Sequence, residues 1–408
     1  MKSKLLKKVV ALSVASVMSI GLFAGCGAKK TETSSTSAAA STAATEEKKS
    51  DSAETPAAPA AGDIKIGVSI WSSTDVLGSQ CKKIIDEAAS ALGVTVQYVD
   101  QGHVSEQVTS SVEKLCAAGC QGIIICNSAD TEMTSAINTC NQQGVYLAQF
   151  FRIINSETSA DIYQMGKDSK FFVGAVHENE VENGQKLAQI LLDRGDRNIG
   201  LIGWEQGDAT WLGRWEGYTK GVEEWNAKNP SDQAKLSEPQ YAGTTSEGGA
   251  KAADALMSAD PTLDALIPAG GGGEPLLGAL QAIQTKNKAG EIDVVSTDFL
   301  PDLGDRLKNG TMAGQSGGHY CDPLFAFMMV YNAVLGNYKD IEGNFKEINF
   351  PYLYVSSPEE YEAYETYFVK QLPYTKDELV AMSTLSFDEL AKTAANLSIA
   401  DAKARSGK

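Results

Sequence analysis

The sequence predicts an α/β protein of two doubly wound, Rossmann-like lobes with extra helices at the C-terminal end. Two observations carry that class. From Asp63 onward short apolar runs alternate with helical patterns, and the alternation restarts after a polar passage near 153–175 to give a second half of similar size. The stretch from Asp63 to the C-terminus is also longer than one hydrophobic core usually supports.

The elements follow in order. "IKIGVSIW" (64–71) reads as a buried strand, and residues 79–93 place apolar side chains at helical spacing up to Gly93. "VTVQYVD" (94–100) is a strand, and Ser105 opens a helix over 105–119 as its N-cap. "GIIIC" (122–126), a helix over 131–143 and "GVYLAQFF" (144–151) complete the first half. The second half reads as helix 181–195, strand 198–204, helix 214–228, a weak strand within 234–243 and helix 247–260. Strand 263–270, helix 275–287 and strand 292–298 close it. Alternation of this kind means parallel strands joined by helical crossovers.

Open parallel sheets bind ligands beyond the carboxyl ends of their strands. The residues there are Trp71 and Asp75, then Asn127 and Asp130, then Phe150, Phe151 and Arg152 in the first half. The second half supplies Trp204, Glu205, Asp208, Trp211 and Arg214, the "GGGGE" of 270–274, and Asp298. Aromatic and charged groups thus recur at one edge of both sheets, which predicts a single cleft lined from two lobes. Trp215 and Tyr218 share a helix with Val222 and are expected in the core.

The N-terminal end sets the compartment. Lys2, Lys4, Lys7 and Lys8 precede an uncharged apolar run from Val9 to Ala24, the pattern of a secretory signal over 1–25. "LFAGC" resembles a bacterial lipobox and makes Cys26 the lipidation site, with Phe23 at a position where leucine is usual. Residues 27–62 carry no aromatic side chain and almost no aliphatic one larger than alanine, so a disordered tether is expected over 26–62. The chain carries −17, and loss of the four signal lysines takes it to −21, which argues against nucleic acid as a partner.

Seven cysteines include Cys26; Cys116 and Cys120 sit one helical turn apart and Cys126 lies in an apolar strand. No histidine accompanies them at ligand spacing, so they are read as buried small hydrophobes, with no metal and no cofactor expected, though one disulfide is left open. His103, His177 and His319 are widely separated, and "AGGGGEP" has neither the phosphate-loop lysine nor dinucleotide-binding spacing. An enzyme is therefore not expected.

Taken together, "IGVSI", "DEAASALGVTVQYVD", "GIIICNSAD", "VYLAQFFR", the R-x-x-G-Y of 214–218, "LGALQAIQ" and "VVSTDFLPD" resemble the type I periplasmic binding proteins, in their ribose-binding-protein-like branch. The resemblance covers about 63–335. It implies two lobes on a multi-strand hinge, a Venus-flytrap closing on a monosaccharide or polyol, and a monomer serving the permease of an ABC transporter. The protein would be held by its lipid on the outer face of the bacterial cell membrane. A receptor presenting ligand to a membrane sensor, or a binder of a sugar acid or other solute, stays open as an alternative.

By the same resemblance Asn127, Arg152, Arg214 and Asp298 fall on family ligand positions, while Phe151 and the Gly272–Gly273 pair replace its acids. The family glutamine maps onto the segment from Gln315 to His319. An aromatic face from Trp71 or Phe151, and from Trp204 or Trp211, would cover a sugar ring. Arg152 is alternatively a structural partner of Asp75 or Glu205. With Glu205, Asp208 and Glu274 turned away, the cleft would be rich in cations. The expected boundaries are an N-terminal lobe over 63–155 with a return segment near 318–340, a C-terminal lobe over 156–317, and a helical extension over 341–408.

Overall fold

The computed structural model describes residues 63–270, 274–338 and 345–407. Cys26, the signal and the tether expected over 26–62 lie outside the described residues, as do Gly272 and Gly273.

The first sheet grows from β1 (Lys65–Ile70), α1 (Val76–Leu92), β2 (Thr95–Asp100), α2 (Ser105–Ala117), β3 (Gly122–Ile125), α3 (Asp130–Gln143), β4 (Tyr146–Phe150), α4 (Ala160–Asp168) and β5 (Phe172–Glu178). Its strand order is β12-β5-β4-β3-β1-β2, all parallel, where β12 (Lys346–Phe350) arrives from near the C-terminus. Both faces are covered, which explains the unbroken apolar strands: Ile124 of β3 packs into one buried cluster while Ile123 and Ile125 pack into another.

The second sheet uses α5 (Glu180–Arg194), β6 (Asn198–Gly203), α6 (Ala209–Lys228), β7 (Lys235–Leu236), β8 (Gln240–Tyr241), α7 (Ser246–Ala259), β9 (Ala265–Pro268), α8 (Glu274–Thr285), β10 (Asp293–Thr297), α9 (Leu303–Asn309) and β11 (Gly314–Gly317). The order is β13-β11-β10-β9-β6-β7, with β8 also on β6, and β13 (Leu353–Val355) is antiparallel to β11. Between β11 and β12 the chain forms α10 (Asp322–Val334), which packs on β3, β4 and β5 of the first sheet.

The chain therefore passes between sheets three times: after Glu178, between Gly317 and Asp322, and between Phe350 and Leu353. This moves the lobe boundary from the expected 155 to Glu178. The reason is β5, an apolar run inside a passage read as polar linker, which pairs with β4 and belongs to the first sheet. The extension expected to be purely helical also contributes β12 and β13, one strand to each sheet. Only then come α11 (Pro358–Tyr364), α12 (Lys376–Met382), α13 (Phe387–Ala395) and α14 (Ile399–Ser406). Of these α11 packs on α9 and β13, α12 on α1, and α13 on α10 and β12, so both lobes are contacted.

Candidate ligand-binding site

At the carboxyl ends of the two sheets, beside the three crossings, lies a cavity of about 420 Å³. Eight of the ten expected ligand residues line it: Trp71, Asp75, Phe151, Arg152, Trp204, Arg214, Asp298 and His319.

Each is aimed by its local structure. Asp75 is the N-cap of α1, its Oδ1 accepting from the Gly78 amide at 2.7 Å and its Oδ2 from Trp71 Nε1 at 2.6 Å. The indole is thereby held against His103, ring centroids 5.8 Å apart and planes within 1° of parallel. Asp208 caps α6 in the same way, accepting from the Trp211 amide at 2.8 Å, and also lines the cavity. Three of the four non-glycine residues with positive φ among the described residues stand here: His103 (56°), Phe151 (57°) and Asp298 (72°). Left-handed backbone is costly for such side chains, and its clustering in one cleft marks a site where geometry outranks local stability.

Arg214 opens as a ligand candidate and proves also to be a structural cation. Its Nε donates to Glu180 Oε2 at 2.6 Å and its Nη2 to Glu180 Oε1 at 3.2 Å and to the Tyr352 hydroxyl at 3.2 Å. The same hydroxyl donates to Glu180 Oε1 at 2.9 Å. Nη1 is buried without a hydrogen-bond partner among the described residues. Burial alone would raise the Glu180 carboxyl, but the Arg214 charge and the hydrogen bonds from Arg214 and Tyr352 bring it below its usual value. The pair is possible because α5 and α6 touch backbone to backbone. A Cβ on Gly217 would lie 2.1 Å from the Val181 carbonyl, and one on Gly184 would lie 2.2 Å from that of Arg214. The glycine of R-x-x-G-Y is what lets its arginine reach Glu180.

Arg152 forms no ion pair among the described residues; its Nη1 donates to the Phe151 carbonyl at 3.0 Å. The alternative pairing with Asp75 or Glu205 does not occur. His319 Nε2 lies 3.3 Å from Asp298 Oδ1. Burial, with a further push from the Arg214 and Arg152 charges, holds the imidazole below its usual value against the pull of Asp298.

Two expected ligand residues are elsewhere. Asn127 is 1% exposed and fully engaged, accepting from Gln149 Nε2 at 2.7 Å and donating to the Ala129 carbonyl at 3.1 Å. Trp211 is 0% exposed, packed over Gly203 and against Tyr218 on the buried face of α6; its neighbour Thr210 lines the cleft instead. Gln315, at the expected family glutamine, is spent on backbone, donating to the Asp298 carbonyl and accepting from the Leu300 amide.

The cleft is not rich in cations. Arg152 and Arg214 stand among Asp75, Glu178, Glu180, Asp208 and Asp298, because Asp208 faces in and the first crossing delivers two further acids, Glu178 at the end of β5 and Glu180 at the start of α5. Glu178, Glu180 and Tyr352 were missed because β5, β12 and β13, which end or flank the crossings that carry them, were missed. The runs "FVGAVHE" and "LYV" beside "INF" were the available signals: short apolar stretches bounded by polar residues. Across the described residues no group of His, Cys, Asp and Glu could hold a metal ion.

Residues 66–322 match the periplasmic binding protein domain family. The chain belongs to that family. The family is one of solute-binding proteins, which agrees with reading the cleft as a binding site rather than a catalytic one. This binding protein is 24% identical over 263 residues to the ABC transporter periplasmic-binding protein YphF of Escherichia coli (strain K12), covering 62% of this chain and 74% of that one. In fold it is similar to an ABC transporter periplasmic solute binding protein from Actinobacillus succinogenes 130z with bound D-allose, at 16% identity and TM-score 0.60 over 74% of this chain and 100% of that one. It is similar also to the periplasmic binding component of the arabinose ABC transporter from Shewanella sp. ANA-3, at 20% identity and TM-score 0.60, over 79% and 99% of the two chains.

Proposed function

We propose that this binding protein captures an uncharged monosaccharide or polyol between its lobes and hands it to an ABC importer. The observation that carries the reading is the 420 Å³ cavity lined from both sheets by aromatic faces and hydrogen-bonding side chains together. Trp71, Phe151 and Trp204 offer surfaces for the apolar face of a ring, and Arg152, Arg214 and Asp298 offer donors and acceptors to hydroxyls. Five acids against two arginines disfavour a sugar acid, and the N-termini of α1 and α6 are already occupied by Asp75 and Asp208.

Capture works by closure. Each lobe holds part of the site, so ligand binds the closed arrangement better and shifts the hinge equilibrium towards it. In this reading the protein acts as a monomer, exported and held by a lipid on Cys26 at the outer face of the membrane, and its closed form docks on a membrane permease. Solved relatives described with bound D-allose, myo-inositol and L-arabinofuranose support the ligand class.

A thermal-shift screen against pentoses, hexoses, polyols and sugar acids tests the reading. The expected outcome is a rise of several degrees with one class of neutral compound, lost in Arg152→Ala. A rise with sugar acids alone would overturn the ligand class.

A further inference from the structure

His103 lines the cavity from a place in the chain that suits glycine better. It stands in the turn Gln101-Gly102-His103-Val104, just past β2, which is closed by the Val104 amide donating to the Gln101 carbonyl at 3.1 Å. Both central residues have positive φ, 62° at Gly102 and 56° at His103. Turns of that kind favour glycine, asparagine or aspartate at their centre, and a histidine there gives up backbone energy that glycine would keep.

The turn is fixed to two strand ends. The Gly102 amide donates to the Trp71 carbonyl, beyond β1, at 2.9 Å. Gln101, 1% exposed, accepts from the His103 amide on Oε1 at 2.7 Å and donates through Nε2 to the Cys126 carbonyl, beyond β3, at 2.7 Å. The ring is fixed as well. Its Nδ1 lies 3.1 Å from Ser128 Oγ, and the Ser128 amide in turn donates to Glu132 Oε2 at 2.7 Å. The imidazole plane is within 1° of the Trp71 indole, which Asp75 holds. Nε2 makes no hydrogen bond to any described residue.

A ring anchored in this way on a costly backbone, with one polar atom left over at the wall of a cleft, is preorganised for a ligand. We propose that His103 is a specificity-determining contact of the solute site, its Nε2 meeting one hydroxyl of the bound sugar or polyol, with Gln101 and Ser128 as its positioning residues. The assignment rests on the sugar-binding reading above and names a residue that would choose among sugars. Burial, with the Arg152 charge, lowers the imidazole against the pull of Glu132 and Asp75, which favours the uncharged ring. Ser128 Oγ can donate to Nδ1 or accept from it, so Nε2 is open to either role, and a hydroxyl, both donor and acceptor, pairs with each.

Calorimetric titration of the full chain with D-allose, L-arabinose and myo-inositol, then with monodeoxy derivatives of the one that binds, tests the assignment. His103→Gly removes the ring and relieves the left-handed backbone. Its unfolding temperature should match or exceed that of the wild type, while its affinity falls about tenfold. His103→Asn, which tolerates positive φ and keeps a polar side chain, should recover part of that loss. One deoxy derivative should bind the wild type about tenfold more weakly than its parent, yet bind His103→Gly as well as the parent does. A lower unfolding temperature with affinity kept would make His103 a structural turn residue and overturn the proposal. Equal losses for every derivative in both proteins would overturn it too. If the wild type binds a probe and His103→Gly binds it equally well, the sugar reading stands and this assignment alone falls; if the wild type binds none of the probes, both fall.

Discussion

Arg214 answers to two demands at once, and substitutions separate them. Its fork is filled on one side by Glu180 and Tyr352, while Nη1 has no partner among the described residues. Arg214→Ala should abolish ligand binding and cost about 3–5 kcal/mol, because Glu180 is left as an uncompensated buried charge. Urea unfolding checks the second part, and a loss confined to binding would mean that the ion pair contributes nothing to the fold. Asn127→Ala should do the reverse. It strands the Gln149 amide in the interior at a cost of about 1–3 kcal/mol, yet leaves affinity within about twofold, since Asn127 does not line the cavity. A large affinity loss in Asn127→Ala would return that residue to the site.

The contact between α5 and α6 is the element on which the second lobe's half of the site depends. Gly217→Ala places a methyl into the Val181 carbonyl, so the helices must separate. The expected cost is about 1–3 kcal/mol or more, with weaker ligand binding as Arg214 moves off Glu180. Chemical denaturation and a ligand titration on the same variant read both. In the first lobe, α2 and α3 bring Cys116 and Cys140 into contact, and the hydrogen bond from Cys140 lowers the Cys116 thiol against the opposing effect of burial. Cys116 is also the one described cysteine that is not buried. A maleimide should therefore modify Cys116 first in the native protein, as peptide mapping would show. Periodicity revealed α1–α3 and β1–β4 because those elements are long or uniformly apolar. It missed β5, which lies beside sequence otherwise polar, and β12 and β13, which are short and pair with strands far back in the chain.

At the scale of the whole molecule, pH and the C-terminal extension both act on stability. Glu178 is raised from 4.5 to about 8, so its contribution is fully present below about pH 4.5 and is lost as pH rises through about 8. Thermal unfolding of the wild type should lose stability across that window relative to Glu178→Gln, which lacks the titrating group; parallel curves would contradict the raised value. Truncation after Ser356 keeps both added strands but removes α11–α14. It leaves the buried Tyr320 hydroxyl without the Phe368 carbonyl and Asn332 without that of Met382, and it uncovers the apolar faces of α1 and α10. A lower unfolding temperature with ligand affinity retained is expected; unchanged stability would make the extension an independent appendage.

By itself the sequence determined the α/β class, the two-lobe plan, the edge of each sheet at which the cavity lies and many of the side chains that line it. Those follow from hydrophobic period and from chain positions directly after strands, which are local properties. The tertiary structure alone decided which of those side chains face the cavity. Asn127 and Trp211 turned inward because Gln149 on the neighbouring strand and Tyr218 further along α6 hold them there. Glu178, Glu180 and Tyr352 entered the site because the chain crosses between the sheets three times and each crossing delivers residues to the same point. The acid balance of the cleft, on which the proposed preference for an uncharged ligand rests, is set by that convergence of distant segments, which no local pattern records.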